Sequence, residues 1–245
     1  MKKKDIIKRV RFHGRGGQGM KTASRIVGTA AFMEGYYAQD FPVYGAERRG
    51  APIMAFTRLS DNPILERGII TQPDINIIAD ETLLHDNAAK VLQGVDSGTI
   101  TMVNTHYTPT HVKETYSVKG EVATVDITET VLKIINRPAL SSVAAASACK
   151  LTGMISRDSL KEAVTRELTD IHLKRESIDK NVEAALVCFD NTPDISAAGS
   201  KHSKGCNGNS IVRLKYADPC VGTPSVYAMG NTIDKKTGNW RLYKP

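Results

Sequence analysis

Between Phe12 and Gly19 the chain reads Phe12-His13-Gly14-Arg15-Gly16-Gly17-Gln18-Gly19, which places glycines at 14, 16 and 19. That spacing makes the turn by which backbone N–H groups approach a phosphate at a helix N-terminus; a Cβ there would block the approach or demand a disfavoured φ. The chemistry on offer is anion or cofactor binding. A dinucleotide further needs an acid at the end of the second strand to hold the ribose hydroxyls. Asp40, following the run Tyr36-Tyr37-Ala38-Gln39, is the candidate for that task, whereas Glu34 falls in the last turn of a helical pattern and reads as a solvated residue. A tight strand-to-helix turn that holds no ligand is the plain alternative.

A second group lies in the stretch from Phe41 to Pro52, which is too rich in charge, Gly and Pro to be core. Ordered loops of this length usually bind something. Arg48 and Arg49 offer fork-shaped donors to a phosphate or carboxylate, Glu47 can hold one of them in place, and Gly50 follows. An ordinary surface loop would carry the same triplet. His106, His111 and His172 have no partner at metal-ligand spacing and read as structural or surface residues. The cysteines, at 149, 188, 206 and 220, form no C-x-x-C and match no zinc or iron–sulfur spacing. Cys149 and Cys188 sit in apolar helical stretches and are expected as buried thiols, while Cys206 and Cys220 lie in a Gly/Pro-rich region.

Positioning these groups requires a scaffold, and the hydrophobic pattern supplies one. A strand is expected up to Phe12, then a helix through Ala23, Ile26, Val27, Ala30 and Ala31. Further strands are expected at Tyr36–Gln39, Ile53–Leu59, Ile75–Ala79, Thr99–Val103 and Val122–Val125, with a helix over Glu81–Leu92. From Thr128 the pattern turns helical, with segments at Thr128–Ile135, Ser141–Leu151, Ser156–Leu168 and Ile178–Phe189 and with Ser156 as an N-cap. Strands alternating with helices predict an α/β fold with a mostly parallel sheet covered by helices on both faces.

The organisation expected is one α/β domain over 1–190, a flexible Gly/Ser/Asn/Lys-rich linker over 191–210, and a small irregular C-terminal segment over 211–245. This last segment has too few large apolar side chains for its own core and should dock on another surface. The net charge is +7, and from residue 200 onward eight basic residues face only Asp218 and Asp234. Such a tail suits an acidic protein surface; aromatics are not interleaved with it as nucleic-acid stacking requires. No apolar run reaches membrane-span length and no secretory core follows Met1-Lys2-Lys3-Lys4-Asp5, so a cytoplasmic protein with neither membrane nor nucleic-acid partner is expected.

Taken together, the Gly14–Gly19 loop, the run from Tyr36 to Pro52 and the closing run from Thr237 to Pro245 resemble the 2-oxoacid:ferredoxin oxidoreductases. These are thiamine-diphosphate enzymes that include pyruvate:ferredoxin oxidoreductase. Residues 1 to about 190 resemble the gamma subunit and 211–245 the N-terminal segment of the delta subunit. The resemblance implies a Rossmann-like accessory subunit of a complex that oxidatively decarboxylates a 2-oxoacid and reduces ferredoxin, and that is inactive alone. It implies alpha and beta partners holding thiamine diphosphate and Mg2+, a cluster-bearing ferredoxin-like chain or further C-terminal domain with 4Fe-4S clusters, and external ferredoxin. CoA would enter in pyruvate-type members. Gly14, Arg15, Gly16, Gly17, Gln18 and Gly19 would face cofactor or a neighbouring subunit; Glu47, Arg48, Arg49 and Gly50 would lie at the subunit junction near the active-site channel. No catalytic residue and no metal ligand is assigned to the chain. Where relatives commonly carry an Asn-Thr pair, this chain has Ser141-Ser142, which keeps an oxalate oxidoreductase, acting without CoA, as the alternative to pyruvate. A free-standing dinucleotide-binding protein is the alternative from another class.

Overall fold

The computed structural model describes residues 6–42, 50–135, 140–195, 231–233 and 240–242. Its scaffold is a sheet whose strands are β1 (Ile7–Arg15), β2 (Tyr37–Pro42), β3 (Pro52–Ser60), β4 (Ile75–Ile78), β5 (Ile100–Asn104), β6 (Glu121–Val125), β7 (Asn231–Ile233) and β8 (Trp240–Leu242). The helices are α1 (Met20–Met33), α2 (Pro109–Thr115), α3 (Ile127–Ile134), α4 (Ser141–Thr152), α5 (Arg157–Asp170) and α6 (Arg175–Asn191). Strand order across the sheet is β6-β5-β4-β1-β3-β2-β7-β8. From β6 to β1 the pairings are parallel, and β3 then joins β1 antiparallel over nine register pairs from Ile7↔Ser60 to Arg15↔Pro52.

The sheet of the six main strands is thus mostly parallel, and both faces are covered, as the alternation of strands and helices predicts. On one face Val10 and Phe12 of β1 pack beneath Ala23, Ile26, Val27, Ala30 and Ala31 of α1, and α4, α5 and α6 complete that layer. On the other, Ile78 and Val103 pack under Leu83, Val91, Val95 and Val112. Each fully buried Ile or Leu contributes about 1.5–3 kcal/mol over leaving it in water. Period 2 along β1 sends Val10 and Phe12 to one side and Arg11 and His13 to the other, so the opposite side of the strand carries buried polar groups.

Helix α4 is buried on every side except at Lys150, so its alternation of Ala and Ser has no outer face. Ser142 Oγ donates to Asn181 Oδ1 on α6 at 2.7 Å, and Cys188 on α6 lies 3.2 Å from Ser147 Oγ. Cys149 and Cys188 are buried as expected, and burial pushes both thiols upward in pKa. Ser156 caps α5, accepting from Ser159 N. Beyond α6, β7 adds to the outer edge of β2 and β8 pairs with β7. The rest of the segment 196–245, with Cys206, Cys220 and most of the expected linker, lies outside the described residues.

One expected element is absent. The helix expected over Glu81–Leu92 is a single 3-10 turn, Glu81–Leu84, followed by successive turns. Asp80 caps that turn through Thr82 N, and Asp86 Oδ1 accepts from Ala88 N at 2.9 Å, so short polar side chains capture the backbone donors a longer helix would need. Lys90 (φ 48°) and Gly94 (φ 74°) then bend the chain further. The apolar residues that suggested a helix are buried nonetheless, with Leu83 and Val91 at 1% and 3% exposure.

Candidate functional site

β1 and β4 are adjacent parallel strands whose connections leave over opposite faces, α1 on one and the Glu81–Leu84 turn on the other. In open α/β sheets the crevice at the carboxyl ends of such a pair is where ligands bind. The Gly14–Gly19 segment lies there. Gly14 and Arg15, expected in the loop, are the last two residues of β1, paired with Ile53 and Pro52. The turn proper is Gly16-Gly17-Gln18-Gly19, with Gly17 at φ 98° and Gly19 at φ 80°.

The side chains of this turn are tied to the protein itself. Arg15 N donates to Gln18 Oε1 at 2.7 Å, and Gln18 Nε2 donates to Asp80 Oδ2 at 3.0 Å. Arg15 Nε reaches the same oxygen at 3.2 Å, Arg15 Nη2 donates to Thr82 Oγ1 at 2.6 Å, and Arg15 Nη1 donates to Gly50 O at 3.2 Å. Asp80 therefore sits at the C-terminal end of β4 as the shared acceptor of the crevice. Burial alone would raise its pKa, but hydrogen bonds from Thr82 and Gln18 and the charge of Arg15 together hold it below the ordinary carboxylate value. The crevice that would receive a pyrophosphate is bridged by Arg15, Gln18, Asp80 and Thr82.

The second candidate group reaches the same rim. Gly50 N donates to Gly16 O at 3.1 Å, and Gly16 N donates to Ala51 O at 2.8 Å, so Gly50 and the glycine turn are neighbours. Glu47, Arg48 and Arg49 lie outside the described residues.

The start of α1 lacks a side-chain cap. Gly19 caps it with no side-chain hydrogen bond, and the first turn holds no acidic residue. α4 begins opposite it in the same condition, with Leu140 as a cap that offers no side chain and no acid following. The two starts touch: a Cβ built on Gly19 would lie 2.9 Å from Ser141 Cβ and 3.4 Å from Ser141 Oγ. Two helix N-termini, each with orphan N–H groups and partial positive charge, thus converge on one hydroxyl-bearing contact, an arrangement that suits an anion.

Asp40 does not serve a ribose. It lies within β2 rather than after it, fully buried beneath α1, because the strand runs on through Phe41 and Pro42 in register with β3. Glu34, expected in solvent, is exposed but also accepts from Ser156 N at 2.8 Å, tying the end of α1 to the start of α5. Sequence reading missed Asp80 and Thr82 altogether; the available signal was an Asp directly after the apolar run Ile75–Ala79. It also missed the buried pair Arg11 and His13. Arg11 donates to Asn76 Oδ1 and Val91 O, and burial lowers its pKa to about 10. Burial, with the Arg11 charge second, lowers His13 to about 3, so this imidazole is neutral. A hollow of about 690 Å³ at the amino ends of the strands is lined by Arg9, Arg58, Glu66 and Asp74, where Glu66 engages both arginines. Among the described residues no cluster of His, Cys, Asp and Glu is arranged to hold a metal ion, and no helix is long and apolar enough to cross a membrane.

Residues 9–190 match the family model described as pyruvate ferredoxin/flavodoxin oxidoreductase. The chain is 39% identical over 184 residues to the pyruvate/ketoisovalerate oxidoreductases common subunit gamma of Thermococcus kodakarensis, covering 75% of this chain and 96% of that one. It is 37% identical over 181 residues to pyruvate synthase subunit PorC of Methanothermobacter marburgensis, covering 74% and 95%. Among solved structures, pyruvate oxidoreductase subunit PORC of Thermotoga maritima superposes with a TM-score of 0.65 at 30% identity, covering 76% of this chain and 97% of that one.

Proposed function

Because this chain belongs to the pyruvate ferredoxin/flavodoxin oxidoreductase family as a gamma-type subunit of a 2-oxoacid oxidoreductase, we propose that it is the accessory subunit of a pyruvate-type enzyme using CoA and ferredoxin. The observation that carries this reading is the rim at Gly19 and Ser141. Two uncapped helix starts offer an anion a set of backbone donors, while the nearby Arg15, Gln18, Asp80 and Thr82 are engaged with one another. That is a site suited to binding and orienting.

The residues fit the phosphates of CoA: Gly17 and Gly19 allow close backbone approach, and the hydroxyl of Ser141 stands at the junction. When bound, CoA would supply the thiol that accepts the acyl group; this chain's part is to hold its anionic end at the helix starts. The described residues do not fit an iron–sulfur cluster, since Cys149 and Cys188 are buried and far from thiolate character. On this reading thiamine diphosphate, Mg2+ and the 4Fe-4S clusters would be held by alpha, beta and ferredoxin-like partners. Residues 211–245, read as a delta-type N-terminal segment, would help recruit one of them, and Glu47, Arg48 and Arg49 would stand at the junction beside Gly50.

The test is anaerobic viologen reduction by the native complex purified through this chain, comparing pyruvate with CoA, ketoisovalerate with CoA, and oxalate without CoA. CoA-dependent activity with pyruvate supports the proposal. Activity with oxalate alone would overturn it and leave the glycine turn as an interdomain contact. A chain that purifies by itself and binds NAD would overturn the accessory role as well.

A further inference from the structure

Residues 61–74, which join β3 to β4, form no helix or strand and lie at the amino ends of β1 and β4, the end of the sheet opposite the glycine turn. Two of their side chains stand out: Leu65 is 83% exposed and Ile69 58%. At the start of the loop Ile6, whose N–H donates to Asp61 Oδ1 at 3.1 Å, is 50% exposed as well. A slack loop is not the cause, because side chains of the sheet hold this one. Arg9 Nε donates to Glu66 Oε2 at 3.0 Å, Arg58 Nε donates to the same oxygen at 3.2 Å, and Arg58 Nη2 donates to Gly68 O at 2.7 Å. Arg58 is itself buried and fixed by Gln39, whose Oε1 accepts from Nη1 at 2.9 Å. Glu66 is thus held toward the sheet and Ile70 is buried in the protein, while Leu65 and Ile69, each one position earlier, are left facing solvent.

Covering two aliphatic side chains favours association, and a loop already fixed in shape gives up little conformational freedom in doing so. We propose that Leu65 and Ile69 are the apolar anchors by which this chain docks on another subunit of its enzyme complex, in an apolar socket rimmed by a carboxylate. Arg67 sets the rim. It stands exposed between the two anchors, with Nη1 on the carbonyls of Ile64 and Glu66 at 2.9 Å each and with no acid joined to it among the described residues. A carboxylate of the partner would complete it. A second copy of this chain offers no such socket at this end: the hollow beside the loop is lined by Arg9, Arg58, Glu66, Asp74 and Asp96, and desolvating those charges against Leu65 is costly. A two-fold contact through the loop would also bring the two Arg67 side chains toward each other. The partner follows from membership of the family as a gamma-type subunit, so the inference rests on the subunit role and not on the substrate or CoA reading. A contact at the amino ends keeps the crevice at the carboxyl ends free of it.

A photoreactive side chain placed at position 65 tests this in the native complex purified through this chain. A cross-link to a different subunit is the expected result. A cross-link to a second copy of this chain, one to residues 196–230 of the same chain, or none at all would each overturn the docking surface. Titrating Leu65→Asp and Ile69→Asp chains against the other subunits reads its strength. Each should bind at least about tenfold more weakly, as loss of one buried aliphatic side chain predicts, with the Tm of the chain unchanged, whereas Leu65→Met should bind as the unmodified chain does. Unchanged binding in both Asp variants, or an equal loss in Leu65→Met, would overturn the anchors. Arg67→Glu should weaken binding about tenfold at low salt and less at high salt, and an unchanged affinity would overturn the carboxylate rim. A chain that joins no complex would overturn the subunit role and this surface together, which separates that failure from a complex that forms without Leu65.

Discussion

Gly19→Ala is expected to destabilise the chain by about 3 kcal/mol, through two separable causes. The first is backbone conformation: φ of 80° is the left-handed region, where a Cβ costs about 1–2 kcal/mol. The second is contact: the new Cβ would sit 2.9 Å from Ser141 Cβ, and since both lie at helix starts neither can yield freely, which adds about 1–3 kcal/mol of overpacking. Gly17→Ala isolates the first cause, because Gly17 has φ of 98° but nothing within 4 Å of its would-be Cβ. Urea unfolding of the two variants should therefore differ by about 1–3 kcal/mol, with the slope against urea unchanged. Adding Ser141→Gly to Gly19→Ala should restore most of the contact cost, giving a favourable interaction energy of at least about 1 kcal/mol in the double-mutant cycle. Equal losses for Gly17→Ala and Gly19→Ala, or strict additivity in the cycle, would refute the claim that the α1 and α4 starts are in contact.

Asp80→Ala removes the acceptor shared by Arg15, Gln18 and Thr82 and should cost about 2–3 kcal/mol, read as a fall in Tm of about 5–10 °C; a shift under 2 °C would show the rim holds without it. For Asp40 the folded-state pKa is raised, so its contribution to stability is fully present below about pH 4 and is lost as pH rises through about 7. The loss should be no more than about 4 kcal/mol, and denaturant titrations at pH 5 and 8 should show about two-thirds of it in the unmodified chain but not in Asp40→Asn. Arg48→Ala and Arg49→Ala should lower turnover of the assembled complex while leaving the circular dichroism of this chain intact; unchanged turnover would remove both side chains from the active-site channel.

Much of the scaffold was legible because it is written in short-range pattern. The apolar runs at 53–59, 75–79, 99–103 and 122–125 all became strands, and the capping serine at 156 marked the start of α5 within a residue. Direction was not legible: nothing in the alternation along β3 says that it runs antiparallel to β1, since period 2 serves either pairing. The Glu81–Leu92 segment misled because its apolar residues are buried in turns, where periodicity and burial no longer mean helix. The rim was half legible. Its glycines carry a signature, whereas Asp80 meets Arg15 across 65 positions of sequence and no local pattern records that. Asp40 was read as a binding residue because acids at that spacing serve riboses, and only the continuation of β2 through Phe41 shows why it cannot.

The layer formed by α1, α4, α5 and α6 bears on how the chain is made. The hydroxyl of Thr29 finds Glu167 only 138 residues later in the sequence, and the apolar face of α1 is covered by helices that begin at Ser141 or beyond. During synthesis β1, α1 and the β2–β3 pair can assemble early, but the side of α1 that α4 and α5 cover must wait, exposed, until most of the chain has emerged. Topology of this kind folds slowly, because loop-closure entropy is spent before the distant contacts repay it. The interval between translation of α1 and arrival of α4 and α5 is accordingly when a nascent chain of this protein most needs shielding from its neighbours.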